Sequence, residues 1–334
     1  MTALAAHLSA YLREHLPRER AVSPHTVKTY ANCFVLLVQF AADRLKRRPT
    51  DLEVEDLGTD MIMAFLDHVE IGRGSCVRTR NGRLAAIRSF FRYIEYRIPA
   101  CLDQALRVRA IPTKKTDKAL IDYLDRAEIK ALLDTPDPRT RLGTRDRAML
   151  HLTYAGGLRV SELVTLQLGD FPDRSLSTMH IMGKGRRERV LPLWKETQIA
   201  LRAWLAIRPQ VEVTEIFLNA NGQPMTRDGF AFRLAEHVKT AATKQPSILG
   251  KRVTPHVLRH SCAMHTLAAT GDIRKVALWL GHASIQSTET YLRADPEEKL
   301  QILAAHGAPA IKPGRFKPPS DALITMLTDV RRRA

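Results

Sequence analysis

The 334-residue sequence is poor in cysteine and lacks the usual metal and nucleotide motifs. Its four cysteines form no C-x-x-C pair and no zinc-finger spacing, so we expect reduced thiols. There is no H-E-x-x-H pair and no G-x-x-x-x-G-K-[ST] loop. We therefore expect neither a metal site nor a cofactor, although scattered Asp and Glu residues leave two-metal nuclease chemistry open. The cysteines are Cys33, Cys76, Cys101 and Cys262.

Long apolar runs are also missing, and so is the basic-then-apolar layout of a signal peptide at the start. These absences predict a cytoplasmic protein with no membrane partner. The 45% hydrophobic fraction is ordinary for a globular protein, and the length favours two domains.

Acidic residues are scarce relative to basic ones. Lys and Arg number 52 against 35 Asp and Glu, which gives a net charge of +17. The excess is spread along the chain, since residues 1–110 carry 17 basic and 12 acidic side chains and residues 111–334 carry 35 and 23. Such a balance favours a polyanionic partner, but it does not separate DNA from RNA or anionic lipid.

Helical periodicity dominates the first hundred residues. Ser23 is a candidate N-cap followed by Pro24 at the first helical position. We predict a helical domain over residues 1–106, with two apolar helix faces. The first face contains Val27, Ala31, Phe34, Val38 and Ala41, and the second contains Leu84, Ile87, Phe91 and Ile94.

Basic side chains accompany the second apolar face and continue beyond it. Any single one is adequately explained as a solvated surface residue, but as a set with few acids between them they are typical of a phosphate-contacting surface. Residues 107–119 are basic and lack periodicity, and we predict that they form the interdomain linker. The candidate DNA-binding residues are Arg80, Arg83, Arg88, Lys114 and Lys115.

Residues 120–295 alternate predicted helices with one predicted β-hairpin. Asp125 and Glu128 match a capping box, and Gly156-Gly157 ends the helix predicted over 145–154. Two β-prone runs, 178–182 and 188–193, flank a Gly-Lys-Gly turn with Lys184 at its tip. Further helices are predicted at 194–207, 227–242, 254–269 and 272–280, and after Ser284.

Four small polar sets lie within these elements. Arg159 and Glu162 are three residues apart, as are His256 and Arg259, so each pair shares a helix face. Each set alone is explained by ordinary surface polarity or packing. The remaining two sets are Lys184 at the hairpin tip and His282 followed by Tyr291.

Together, and in this order, the four sets resemble the tyrosine recombinase, or phage integrase, family. Residues 155–163 resemble its T-G-x-R-x-S-E-L box, and residues 280–291 resemble its L-G-H-x-S-x-x-x-T-x-x-Y box. The resemblance implies a mostly helical α+β fold with two domains. These are an N-terminal helical core-binding domain and a mixed α/β catalytic domain, residues 120–295, with a small β-hairpin.

The resemblance also implies a nucleophile, a base and an acid. Tyr291 would attack a DNA phosphodiester and form a 3′-phosphotyrosine with a free 5′ hydroxyl, without metal or ATP. His256 would be the general base for the tyrosine, and Lys184 would protonate the departing 5′ oxygen.

Three further residues are implied to bind the phosphate. Arg159 and Arg259 would hold its nonbridging oxygens, a task that suits the planar guanidinium. His282 would add a hydrogen bond. The chain departs from the family just after the nucleophile, where Leu292-Arg293 replaces the more usual Thr-His pair.

The implied partner is double-stranded DNA, bound by a dimer on one site and a homo-tetramer on paired sites. Related recombinases and accessory DNA-bending proteins are further candidate partners. The tail, residues 296–334, contains an amphipathic stripe that would dock on its own domain or on a neighbour. A type IB topoisomerase-like enzyme and a decayed DNA-binding regulator remain alternatives. The stripe consists of Leu323, Ile324, Leu327 and Val330.

Overall fold

The chain divides into two units, Met1–Lys118 and Ala119–Ala334, each with its own hydrophobic core. The computed structural model describes residues 2–117, 120–183, 187–282 and 284–294 and four isolated positions near the end. Those positions are Met326, Leu327, Asp329 and Arg331.

The first unit is helical throughout its regular structure. Ser23 caps α2 by accepting a hydrogen bond from the Thr26 amide, and Pro24 opens the helix, which confirms the predicted start. The helices are α1 (Leu4–Ala10), which continues into the π-helical segment Tyr11–Glu19, then α2 (Pro24–Leu45), α3 (Thr59–Asp67), α4 (Val77–Arg97) and α5 (Leu102–Ala110).

The core of this unit lies between α2 and α4. The predicted apolar face of α4 is buried, with Leu84, Ile87, Phe91 and Ile94 each 0% exposed. Burying side chains of this size stabilises the fold by about 1.5–3 kcal/mol each. The helical prediction for this region is confirmed.

The end of this unit lies beyond the predicted boundary at residue 106. Helix α5 runs on to Ala110 because Ala105 and Val108, both fully buried, face the core across its last turn. Residues 107–110, which we predicted as the start of the linker, are therefore helical.

The second unit combines helices with one antiparallel hairpin, which confirms the predicted fold class. In the hairpin, Thr178 pairs with Pro192 and Gly183 pairs with Arg187. Its elements are α6 (Arg126–Leu133), α7 (Arg141–Ala155), α8 (Val160–Val164), β1 (Thr178–Gly183), β2 (Arg187–Pro192), α9 (Lys195–Ile207), α10 (Arg227–Lys244), α11 (Pro255–Thr270), α12 (Ile273–Leu280) and α13 (Glu289–Ala294).

Local sequence signals explain where these helices begin and end. Asp125 and Glu128 form the expected capping box at the start of α6. Thr254 caps α11, and Gly271 in the left-handed region ends it, as predicted. These boundaries fix the position of α11, whose side chains reach both the core and the candidate site.

Helix α7 lies at the centre of this unit. Its residues from Ala148 to Ala155 are all buried, and its Asp146 side chain is only 1% exposed. That carboxylate accepts hydrogen bonds from Arg233 at 2.7 Å and His237 at 2.9 Å, both on α10. The pairing compensates the buried charge and joins the two helices.

Two predicted features fall wholly or mainly outside the described residues. These are Lys184 at the hairpin tip and the C-terminal stripe, of which Leu327 alone is described, as an exposed residue. Within the described part of the chain, no helix is both long and apolar enough to cross a membrane.

Candidate active site

A buried carboxylate, Glu162, organises the polar side chains of the second unit. It lies on α8, whose first residue follows Arg159, and its side chain is 4% exposed. Its Oε1 accepts a hydrogen bond from Arg159 Nη1 at 2.6 Å, and its Oε2 accepts one from the Arg159 amide at 3.0 Å. The expected pairing of Arg159 with Glu162 is therefore present.

Two more guanidinium groups approach the same carboxylate. Arg189 donates from Nη2 to Oε2 at 2.9 Å, and Arg259 Nη1 lies 3.9 Å from Oε2. Burial alone would raise the pKa of Glu162, but the hydrogen bonds and charge of Arg189, followed by those of Arg159, outweigh it and lower that pKa. Glu162 is therefore ionised at neutral pH and screens the arginines from one another.

Gly157 allows the arginine group to pack closely. Its φ is +54°, and a Cβ there would lie 2.5 Å from Cδ2 of Leu280 and 3.2 Å from Sγ of Cys262. Its carbonyl accepts a hydrogen bond from Arg259. A glycine is needed here both for the backbone conformation and for the contact with α12.

Arg259 is buried on α11, with 4% of the residue exposed. It donates to the carbonyls of Gly157 and Leu280, the latter at 2.8 Å, and so joins the start of α8 to the end of α12. Burial, reinforced by the charge of Arg159, lowers the pKa of Arg259 to about 10. The guanidinium is still protonated at pH 7.

His282 follows Gly281, whose left-handed conformation ends α12. Its Nδ1 is hydrogen-bonded to the Thr288 hydroxyl at 2.7 Å. Burial and the charges of Arg259 and Arg159 lower the pKa of His282 to about 4. The imidazole is therefore neutral at pH 7 and has one N–H to donate.

Tyr291 is 2% exposed and lies near the start of α13. Its ring stacks on that of His282, with 6.4 Å between ring centroids and 8° between planes. Its hydroxyl is hydrogen-bonded to Nδ1 of His260 at 3.1 Å. Burial raises the pKa of Tyr291 to about 12, against the opposing charge of Arg259, so the hydroxyl is protonated at pH 7.

The histidine beside the tyrosine hydroxyl is His260, whereas the sequence pointed to His256. His256 is exposed, and its ring centroid lies 6.5 Å from that of His260, one turn along α11. Burial, followed by the charges of His256 and Arg259, lowers the pKa of His260, so this imidazole is neutral at pH 7 and can accept a proton.

Sequence reasoning missed His260 and Arg189. His260 was detectable from its position four residues after His256, which puts both on one helix face. Arg189 lies two residues before the buried Leu191 on β2, so strand alternation places both on the inward side. The sequence could have indicated Arg189 because it lies on the same strand face as an apolar residue, Leu191.

Of the six catalytic candidates, the structure brings Arg159, Arg259, His282 and Tyr291 into one cluster. Lys184 lies outside the described residues. Among the described residues, no group of three or more His, Cys, Asp or Glu side chains is arranged to hold a metal ion.

The candidate DNA-binding residues of the first unit do not share one environment. Arg80 is 2% exposed, its Nε lies 3.5 Å from Glu70 and it donates to Asn81. Arg80 is therefore buried beside Glu70 in this structure, and its contact with a DNA phosphate stays a prediction. Lys114 also contacts Glu70, at 2.8 Å, but stays half-exposed.

The remaining candidates keep accessible surface. Lys115 is exposed, Arg83 is half-buried, and Arg88 is half-buried while donating to the carbonyl of Ile111. Arg88 also borders a cavity of about 370 Å³ that has basic walls. The basic residues around this cavity are Arg20, Arg88, Arg92 and Arg109.

Comparison with known proteins places both units in context. Residues 122–298 match the phage integrase family, and residues 8–97 match the N-terminal SAM-like domain of phage integrases. A Sinorhizobium fredii protein named as an integrase/recombinase is 39% identical over 327 residues, which cover 98% of each chain.

Two further proteins extend the comparison. Tyrosine recombinase XerC of Myxococcus xanthus is 35% identical over 310 residues, which cover 90% of this chain and 97% of XerC. A solved structure of a lambda integrase tetramer bound to a Holliday junction shares the fold, with a TM-score of 0.61 at 16% identity, over 87% of this chain and 77% of that one.

Proposed function

This chain belongs to the phage integrase family and is a site-specific tyrosine recombinase, and we propose that Tyr291 is its nucleophile. In the proposed step the Tyr291 oxygen bonds to phosphorus, and the bond from phosphorus to the 5′ oxygen breaks. The hydroxyl proton passes to a histidine, and the leaving oxygen takes a proton from an acid. The products are a 3′-phosphotyrosine and a free 5′ hydroxyl, and the reverse attack by another strand's hydroxyl completes exchange.

The single observation that carries this proposal is that Tyr291 stacks on His282, and both side chains feel the charges of Arg259 and Arg159 in an arginine cluster. Three guanidiniums surround one carboxylate, Glu162, so the cluster carries a net charge of +2. A phosphodiester has one negative charge and gains a second as the new bond forms. Fixed positive charge in a buried site stabilises that developing charge without reorganisation.

We assign phosphate contacts to Arg159, Arg259 and His282. Arg159 keeps 27% of its side chain exposed, so it is the arginine of the cluster most able to reach a ligand. A neutral His282 that accepts the Thr288 hydroxyl at Nδ1 presents an Nε2–H donor. Lys184 is assigned the acid role by family resemblance.

We assign proton acceptance from Tyr291 to His256 in the DNA-bound enzyme, and the holding of the hydroxyl in the DNA-free protein to His260. The 3.1 Å contact supports the second assignment. The exposed position of His256 on the same helix face supports the first, because an exposed base can meet a nucleophile that moves toward DNA.

Duplex DNA is the proposed substrate, and both units carry the positive charge that attracts it. In the first unit we propose contacts through Arg83, Arg88, Lys114 and Lys115, with the basic cavity receiving a backbone phosphate. We further propose a dimer on one site and a tetramer on paired sites, the state in which lambda integrase holds a Holliday junction. The enzyme would act on the nucleoid in the cytoplasm.

The test of this function uses DNA that flanks the gene. Tiled duplexes from that DNA are incubated with the protein, and new junctions are sequenced. Recombinant junctions at one reproducible position support the proposal. Relaxation of any supercoiled plasmid without such junctions would indicate a topoisomerase, and binding without covalent capture would indicate a regulator.

A further inference from the structure

We propose that Arg189 is a positioning residue for phosphate binding, acting through Glu162 on Arg159. The inference rests on the proposed phosphotyrosine chemistry. Arg189 lies on β2, whereas Glu162 and Arg159 lie on and beside α8, so the arrangement exists only in the folded unit.

Within the described part of the chain, both hydrogen bonds that the Arg189 side chain donates go to the Glu162 carboxylate. Its Nη1 donates to Oε1 of Glu162 at 3.3 Å, and its Nη2 donates to Oε2 at 2.9 Å, which is a bidentate pair. The two oxygens therefore cannot rotate freely. Since Arg159 Nη1 donates to that same Oε1, the bidentate pair fixes the direction in which Arg159 points.

The burial of Arg189 indicates more than packing. Its side chain is 9% exposed, and its Nε is buried without a hydrogen-bond partner among the described residues. Burying an arginine with an unpaired N–H donor costs folding free energy. An apolar side chain of similar volume would stabilise the strand more, so packing alone does not explain Arg189.

The loop before His282 is shaped around Arg189. A Cβ at Gly281 would lie 2.9 Å from Arg189 Cδ and 3.0 Å from its Nη1. The guanidinium thus occupies the space that a side chain at position 281 would fill. Arg189 consequently supports two phosphate-binding elements, Arg159 through Glu162 and His282 through the backbone of Gly281.

Arg189 also connects this site to the hairpin. It pairs in register with Ile181 and lies two residues beyond Arg187, the first residue of β2. The strand therefore holds the base of the hairpin against Glu162. The loss of Arg189 should misplace the phosphate ligands, and displacements of about 1 Å can lower catalytic rates by about 10²-fold.

The test is single-turnover cleavage by the full-length protein. The substrate is a duplex carrying the scissile phosphate located by junction sequencing, with a nick beyond it so that the cleaved fragment leaves. Arg189→Met should lower the cleavage rate by roughly 10–100-fold with DNA affinity unchanged, and Arg189→Lys should lower it less. Arg208→Met is the control, because Arg208 donates to carbonyls of its own loop, including Val213 and Glu215, away from the cluster.

A second substrate separates positioning from general stability. Replacing a nonbridging oxygen of the scissile phosphate by methyl removes the negative charge that the arginines neutralise. This methylphosphonate should relieve the defect of Arg159→Ala, and it should relieve that of Arg189→Met to a similar extent. The Arg208→Met variant should show a lower Tm, near-normal cleavage and no relief.

The experiment distinguishes failure of the proposed function from failure of the positioning role of Arg189. If the wild-type protein forms no covalent adduct, the function itself fails. If it does, but Arg189→Met cleaves at the wild-type rate or is not relieved where Arg159→Ala is, the positioning role of Arg189 is refuted. Should Arg189→Met not fold, Arg189→Lys with a native Tm decides by the same two readouts.

Discussion

Nδ1 of His260 lies 3.1 Å from the hydroxyl of Tyr291, and in the second unit the tyrosine is buried while the histidine is half-buried. Burial raises the pKa of the tyrosine and lowers that of the histidine, so both are neutral at pH 7 and share one hydrogen bond. In this arrangement the nucleophile is held rather than ionised. We propose that cleavage requires a base to take the hydroxyl proton as the oxygen bonds to phosphorus.

His256 and His260, both on α11, should therefore respond differently to substitution. His260→Leu leaves the buried tyrosine hydroxyl without its partner and should destabilise the protein by about 1–3 kcal/mol, with a lower Tm. His256→Ala removes an exposed side chain and should leave Tm unchanged while strongly slowing cleavage. Thermal unfolding and single-turnover cleavage of both variants test this. Wild-type cleavage by His256→Ala would remove it from the mechanism.

Gly157 offers a test of how tightly the arginine cluster is packed. Gly157→Ala should cost at least about 1–2 kcal/mol for the left-handed backbone alone, and more for the clash with Leu280. Gly169→Ala is a matched control, since a Cβ there meets nothing within 4 Å, and it should change stability by less than about 0.5 kcal/mol. Urea unfolding measures both. Equal stabilities for the two variants would contradict the packing described.

A pH dependence follows from His151 on α7. Burial lowers its pKa from 6.5 to about 4. Because the unfolded chain binds this proton more readily, stability is full above about pH 6.5 and declines as pH falls toward 4, by about 2 kcal/mol at pH 5.

His151→Leu should remove the loss of stability that this histidine causes at low pH. The measurement is Tm between pH 7.5 and 5. The half-buried His260, His265 and His282 also have lowered pKa values and should keep part of the decline in the variant. An unchanged Tm profile after His151→Leu would show that this imidazole titrates normally in the fold.

Lys184 can be tested as an acid through its leaving group. A departing alkoxide needs a proton, since its conjugate acid resembles water with a pKa of about 15.7, whereas a thiol has a pKa of about 8.5 and leaves as thiolate. Lys184→Ala should cleave normal DNA very slowly, yet cleave DNA with sulfur at the 5′ bridging position almost as well as wild type.

Arg159→Ala serves as the comparison for that experiment, because its proposed partner is a nonbridging oxygen, and sulfur should not relieve it. If Lys184→Ala cleaves both substrates equally slowly, the lysine acts in DNA binding or in ordering the hairpin. The acid would then have to be another residue.

Much of the fold could be predicted because it follows from local signals. Ser23-Pro24 and Asp125 with Glu128 mark helix starts through capping chemistry, and Gly271 marks an end by its backbone freedom. These effects act within a few residues and need no knowledge of the rest of the chain.

The features that the sequence did not reveal arise from contacts between residues that are not neighbours in sequence. Arg80 was a candidate for DNA contact, but the fold places it beside Glu70. Arg189 was not singled out, and β2 places it beside Glu162. Helix periodicity likewise put His256 and His260 on one face without showing which of them meets Tyr291. Tertiary packing decides such pairings.

The most direct test of the account is the chemical identity of the covalent adduct. The protein is incubated with the nicked duplex, denatured and digested with protease, and the nucleotide-bearing peptide is sequenced by mass spectrometry. We expect the 3′ phosphate on Tyr291, and no adduct with Tyr291→Phe, which keeps the ring against His282 and should bind DNA normally. An adduct on another residue, or one that persists in Tyr291→Phe, would contradict the assignment of Tyr291 as the nucleophile.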